Sequence, residues 1–185
     1  VQTLLSMWED GREDLGDRLA EHMVIAMRQA KQIPLWTRVD DGAEAAVQAF
    51  AADILEMWRE SLPDAAAEIT HLAGRFVLAQ VGLRLTMPGI PDIYQGAEST
   101  TFLLGDPDNR REVDPVALAQ GGGTSLAEAK RDLTRTLLRL RRERPDLFAE
   151  GEVEAAGSGA AELCLTRRRE RDAVTVILGG GAEGD

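Results

Sequence analysis

The sequence predicts a mainly α chain with minor β: the C-terminal tail of a (β/α) barrel, followed by a small antiparallel β region. Three observations predict it. Amphipathic segments with three- and four-residue spacing fill the first half. After them comes one short β-prone stretch, then a long loop and another helical segment, which is the order of a single β/α unit. Beyond Pro145 the pattern turns strand-like. A lone strand between helices cannot be a sheet, so its neighbours must belong to a larger barrel.

Taken in order, Leu15, Leu19, Met23, Ile25, Ala26, Met27 and Ala30 make the apolar side of a helix from 14 to 30, with Asp17, Arg18, Glu21 and Arg28 opposite and Pro34 as its stop. A second helix is expected from about Asp41, which caps it while Glu44 reaches back. Its apolar side is Ala46, Val47, Phe50, Ile54, Met57 and Trp58. A third runs from about Pro63 to Thr86, and its second half is apolar almost all round, as in a helix buried within a larger assembly. Residues 90–95 read as a short strand between the Pro88-Gly89 turn and Gly96. Residues 97–124 carry no period and end in Gly121-Gly122-Gly123, and so long a loop inside a domain is uncommon unless functional. Ser125 with Glu128 forms a capping box for a helix that ends before Pro145. Strands are then expected at 152–155, 162–167 and 173–178, the last two joined by a polar hairpin. This divides the chain into a helical segment plus last β/α unit, 1–148, and a truncated C-terminal β domain, 149–185.

The charge balance excludes some functions. With 21 basic and 32 acidic side chains the net charge is −11, the wrong sign for nucleic acid or an anionic membrane. The local cluster Arg139, Arg141, Arg142 and Arg144 is explained by its place near a helix C-terminus, where cations are favoured. The single cysteine, Cys164, rules out an internal disulfide and fits a reducing, cytoplasmic setting. No apolar run approaches the roughly 18–20 residues needed to span a bilayer. His22 and His71 have no companion ligands at metal-binding spacing, and no metal or cofactor is implied. Both ends, Val1 and the glycine-rich 179–185, have the look of a fragment.

The segment Pro88-Gly89-Ile90-Pro91-Asp92-Ile93-Tyr94-Gln95-Gly96-Ala97-Glu98, with Asp106-Pro107-Asp108-Asn109-Arg110-Arg111-Glu112-Val113-Asp114 shortly after it, resembles the eighth-strand region of the α-amylase superfamily. Within it the resemblance is to the maltooligosyltrehalose synthases. Two further stretches support it, Arg28-Gln29-Ala30-Lys31 with Trp36, and 137–142 followed by Pro145-Asp146-Leu147-Phe148. There are departures. Ser99-Thr100 stands where the family has Leu-Trp, Glu112 where it has proline, and Pro34-Leu35 where Thr-Ser is usual.

The resemblance implies an enzyme that isomerises the reducing-end α-1,4 bond of a maltooligosaccharide to α,α-1,1, leaving a terminal trehalose. Its three carboxylates follow the fourth, fifth and seventh strands, so the chain in hand would hold no catalytic residue and would be inactive alone. Candidate substrate contacts are Trp36, Tyr94, Gln95, Glu98, Asp108, Asn109, Arg110 and Arg111. Tyr94, Gln95 and Glu98 would lie at the strand end that faces the cleft, where an aromatic face and hydrogen-bonding groups suit sugars. Alternatively Tyr94 fills the rim and Glu98 pairs with an arginine. Trp36, in a loop after a helix, is either a sugar platform or core. For 108–111 a carboxylate–guanidinium network that pins the loop is preferred to a polar wall at the reducing-end subsites. The implied partner is a maltooligosaccharide, and an exposed barrel edge would let the isolated fragment self-associate. A non-catalytic helical interaction module, or part of another glucan hydrolase of the superfamily, are the alternatives.

Overall fold

The computed structural model describes every residue except 10, 11, 34, 95, 106, 121–124, 158–161 and 180–185. Its elements are α1 (Gln2–Met7), α2 (Leu15–Ala30), α3 (Asp41–Glu60), α4 (Asp64–Thr86), a 3-10 turn at Asp108–Arg110, α5 (Pro115–Gln120), α6 (Ser125–Glu143), α7 (Pro145–Glu150) and the strands β1 (Glu152–Gly157), β2 (Glu162–Arg169) and β3 (Asp172–Gly179). The mainly helical class with a small antiparallel sheet is the one expected.

The chain forms two compact units, one of residues 1–72 and 101–112, the other of 73–100 and 113–185. In the first, Leu4, Met7, Trp8, Leu15, Leu19, Ala51, Leu55, Trp58 and Ala66 form the core, and Leu104 packs on it from the long loop. Trp8 and Trp58 meet edge to face, their ring centroids 5.5 Å apart, a geometry that brings one ring's positive edge to the other's negative face. Truncating a residue such as Leu55 in this core would cost about 2–5 kcal/mol.

The second unit is built on Val81, Leu85 and Leu137, with Ile93 and Leu133 against them. Glycines on α4 let its neighbours approach closely. A Cβ at Gly82 would stand 3.2 Å from Val176 of β3, and one at Gly74 would stand 3.4 Å from Leu126 of α6. The sheet has order β1-β2-β3, antiparallel throughout, with Ala155 opposite Leu165 and Leu165 opposite Val176. Glu170 and Arg171 turn between β2 and β3, so the strands run further into the hairpin than expected.

Several expectations are corrected. Residues 90–94 carry no regular secondary structure and pair with no described strand. Pro88 and Pro91 lack amide hydrogens, and the described strands sit together in the C-terminal sheet. α2 ends at Ala30, ahead of Pro34, because Lys31 takes the left-handed conformation (φ 56°) that closes a helix. Pro34 itself lies outside the described residues. The cap of α3 is Asp40 rather than Asp41, its carboxylate accepting from the Ala43 amide at 3.0 Å. The covered face of α3 is Glu44, Ala51, Leu55 and Trp58, while Phe50 and Met57 are exposed. α5 interrupts the supposedly aperiodic loop, its start fixed by Pro115 and by Asp114, which accepts from the Val116 amide at 2.8 Å. α6 already includes Ser125 as its first residue, and residue 124 and the Gly121-Gly122-Gly123 run lie outside the described residues.

Candidate functional site

The loop motif is organised around Asp108. Arg18 of α2 donates to both its carboxylate oxygens, from Nε at 2.9 Å and from Nη2 at 2.8 Å, and also donates to the Phe102 carbonyl. The Leu104 amide (2.8 Å) and Arg111 Nε (2.8 Å) donate to the same carboxylate. Arg111 reaches on to Asp14 at 2.8 Å, and Arg12 grips Asp14 at 2.6 Å. Arg18 is 1% exposed. Burying a guanidinium is costly unless its donors are matched; the two-pronged carboxylate and the Phe102 carbonyl take those on Nε and Nη2, while Nη1 is buried with no hydrogen-bond partner among the described residues. Arg18, and with it the Leu104 amide and Arg111, holds Asp108 well below the usual carboxylate range against the opposing effect of burial. Arg12 does the same for Asp14. Asp108 is thus occupied on both oxygens by its own chain. Asn109 and Arg110, the next two residues of the turn, are exposed. Asp106 lies outside the described residues.

Trp36 stands elsewhere in the first unit, at the tip of a tight turn closed by reciprocal hydrogen bonds between Leu35 and Arg38. Its ring is exposed, 5.3 Å from the Arg28 guanidinium. Arg28 is fixed in turn by Glu44, with two parallel bonds of 2.7 Å, which push the Glu44 carboxyl down and the guanidinium up. An anchored cation against one part of an aromatic ring restricts its orientation and leaves the rest of it open.

In the second unit, Tyr94 is 71% exposed. Gln95 lies outside the described residues. Gly96 has φ +85°, and a Cβ there would come 2.9 Å from Val113 Cγ2, so the turn into Glu98 needs glycine on both counts. Glu98 Oε2 is buried with no hydrogen-bond partner among the described residues, although its charge favours the protonated form of Lys130. Burial, and then Arg84, still pull Lys130 below its usual range. Ser99 explains one departure from the family pattern: it is buried, its carbonyl accepts from Lys130 Nζ at 2.6 Å and its hydroxyl from Arg131 at 3.1 Å. A polar tie to α6 stands where the resemblance expects a leucine.

Sequence reasoning therefore placed Asp108 and Arg111 together, and it missed Arg18, the main partner of Asp108. Arg18 was assigned to the polar side of its helix. Periodicity reads a lone arginine as solvated, and only its place between Leu15 and Leu19 hinted otherwise.

No protein-family model matches the chain. Among curated proteins, maltooligosyl trehalose synthases from two strains of Mycobacterium tuberculosis are each 32% identical over 95% of the chain. The chain is homologous to the maltooligosyl trehalose synthases. It matches a C-terminal part of them and spans about a quarter (24%) of the length of these curated relatives. Solved structures agree. A maltooligosyl trehalose synthase from Sulfolobus tokodaii superposes with TM-score 0.78 at 28% identity, covering 97% of the chain and 26% of its own length. A variant of the Arthrobacter ramosus enzyme gives 0.71 at 29%, covering 90% of the chain and 24% of its own.

Proposed function

We propose that this chain is the C-terminal portion of an intramolecular glucosyl transferase that converts the reducing-end α-1,4 bond of a maltooligosaccharide into an α,α-1,1 bond. The observation that carries this is the coincidence of the 88–98 and 106–114 motifs with 32% identity to trehalose synthases over 95% of the chain. In this reading a carboxylate attacks the anomeric carbon, a second serves as acid and then base, and a third supports the transition state. In this reading all three lie upstream of the matched region. The released glucose must turn over and attack before water does, so the chain's contribution is to shape and close the reducing-end side of the cleft.

The residues divide by what they are free to do. Tyr94 presents an open aromatic face to a sugar ring, and Trp36 does so with its ring held by Arg28. Glu98 Oε2 is an acceptor awaiting a donor. Asn109 and Arg110 are exposed residues of the loop motif, flanked by the bonded pair Asp108 and Arg111. Gln95 belongs with Tyr94 by position. The apolar stripe of α4, with Ile69, Leu72 and Phe76 exposed, is then the surface that the rest of the barrel covers. The setting is cytoplasmic. Among the described residues no helix is long and apolar enough to cross a membrane.

The test is the mass of the native polypeptide together with product analysis on maltopentaose. A native polypeptide several times longer than this chain that forms the α,α-1,1 product, with the 185-residue chain silent, is the expected result. Turnover by the 185-residue chain alone would overturn the placement of the catalytic carboxylates. A native polypeptide of this length with no product would overturn the enzyme reading.

A further inference from the structure

Two guanidinium groups converge on the end of α4. Arg141, on α6, donates to the carbonyls of Leu85 (2.8 Å) and Gly89 (2.9 Å). Arg167, on β2, donates to the carbonyls of Thr86 (3.1 Å) and Gly151 (3.3 Å). Both lie over the ring of Phe148, at 4.8 and 5.7 Å from its centroid. Arg167 is 1% exposed, and its Nε is buried without a partner. Among the described residues the hydrogen bonds that both groups make go to carbonyl oxygens rather than to carboxylates.

This is an expensive way to fill space. A buried cation without a counter-ion is normally less stable than an apolar residue of the same volume. What it supplies is direction. The last carbonyls of a helix have no partner in the helix and carry its negative partial charge, so two cations there are matched to them. Arg141 bonds to the last turn of α4 and to Gly89 beyond it, where the backbone has φ +108°. One side chain thereby sets the angle at which the chain leaves the helix, and residues 90–94, which pair with no described strand, follow from that exit. Gly151 completes the arrangement. A side chain there would clash with the Leu147 carbonyl, so only glycine lets α7 pass into β1 with its own carbonyl facing Arg167.

We propose that Arg141 and Arg167, seated on Phe148, are positioning residues that fix the exit from α4 and hold the segment bearing Tyr94 in place, making the small sheet a support for the site. The link to sugar binding rests on the function proposed above; the clamp itself does not. Tyr94 is the sole tyrosine of the chain, so fluorotyrosine labelling gives one 19F resonance that reports on this segment. The 185-residue chain is compared with R141M, R167M, R141K and, as a control of packing alone, L126A, whose side chain meets Gly74 twelve residues up α4 from Thr86.

The Met87 amide, bonded to the Leu83 carbonyl at 2.8 Å, is expected to exchange about tenfold faster or more in R141M and R167M. The Tyr94 resonance should move with it. R141K should recover part of both effects, and L126A should lower the urea midpoint without moving the resonance. Wild-type exchange and resonance in R141M would overturn the proposal, as would an equal displacement of the resonance by L126A. If the methionine variants do not fold, R141K decides: unaltered exchange and resonance in it would overturn the clamp. Neither readout uses sugar, so failure of the clamp and failure of the functional assignment are told apart.

Discussion

Arg18 and Asp108 show how a single buried pair can fix the conformation of a loop. The carboxylate accepts from two arginines and a backbone amide, and removing either partner leaves a charge with no water to stabilise it. Arg18→Met is expected to destabilise the first unit by about 3–5 kcal/mol, read as a lower urea midpoint with the chain's other helices still monitored by circular dichroism. The pH dependence has a definite sign. Asp108 titrates below its unfolded value, so its contribution is complete above about pH 4 and fades as acidification carries the solution below that range. The stability gap between wild type and D108N should accordingly be wider at pH 7 than at pH 3 and go on narrowing with further acidification. A gap that stays constant would show that the carboxylate's charge is not what braces the loop. Gly96 sets a second local limit. In G96A a methyl group meets Val113 in a backbone conformation unfavourable to alanine, at a cost of about 1–3 kcal/mol, measurable in the same titration.

At the level of elements, the ends are informative. Lys31 closes α2 in a left-handed conformation that glycine adopts without strain, so K31G should raise the thermal midpoint, equivalent to about 0.5–1 kcal/mol. α2, α3, α4, α6 and the three C-terminal strands were legible in the sequence because each is long enough to repeat its period and is bounded by proline, glycine or a cap. α1, α5 and α7 are six residues each, less than two turns, and a period cannot be read from so little. The face of α3 was misjudged for a different reason. Apolar spacing identifies which residues could be covered, and Phe50 and Met57 are apolar and exposed. The site was legible where partners are close in sequence, as for Asp108 and Arg111, and illegible where they are 90 residues apart, as for Arg18 and Asp108. The stretch 90–95 was read as a strand whose neighbours belong to a larger barrel, and residues 90–94 pair with no described strand.

For the molecule as a whole, the bare side of α4 and the net charge act in opposite senses. Ile69, Leu72, Phe76 and, just beyond the helix, Met87 are exposed on one stripe, which favours association, while a charge of −11 keeps copies apart. The isolated chain should therefore self-associate more as salt screens the repulsion, and F76E should abolish the effect in sedimentation experiments. A weight-average mass independent of salt would show that the stripe is not adhesive. The irregular segment after α4 bears on shelf life as well as on geometry. Ile90 is 98% exposed in a stretch whose backbone groups could template the addition of foreign strands, the first step of fibril growth. Pro88 and Pro91 each delete an amide hydrogen from that template, so an incoming strand meets gaps in the ladder. The two prolines act as gatekeepers against amyloid. A P88V/P91V variant should bind thioflavin on storage under conditions in which the parent chain stays clear.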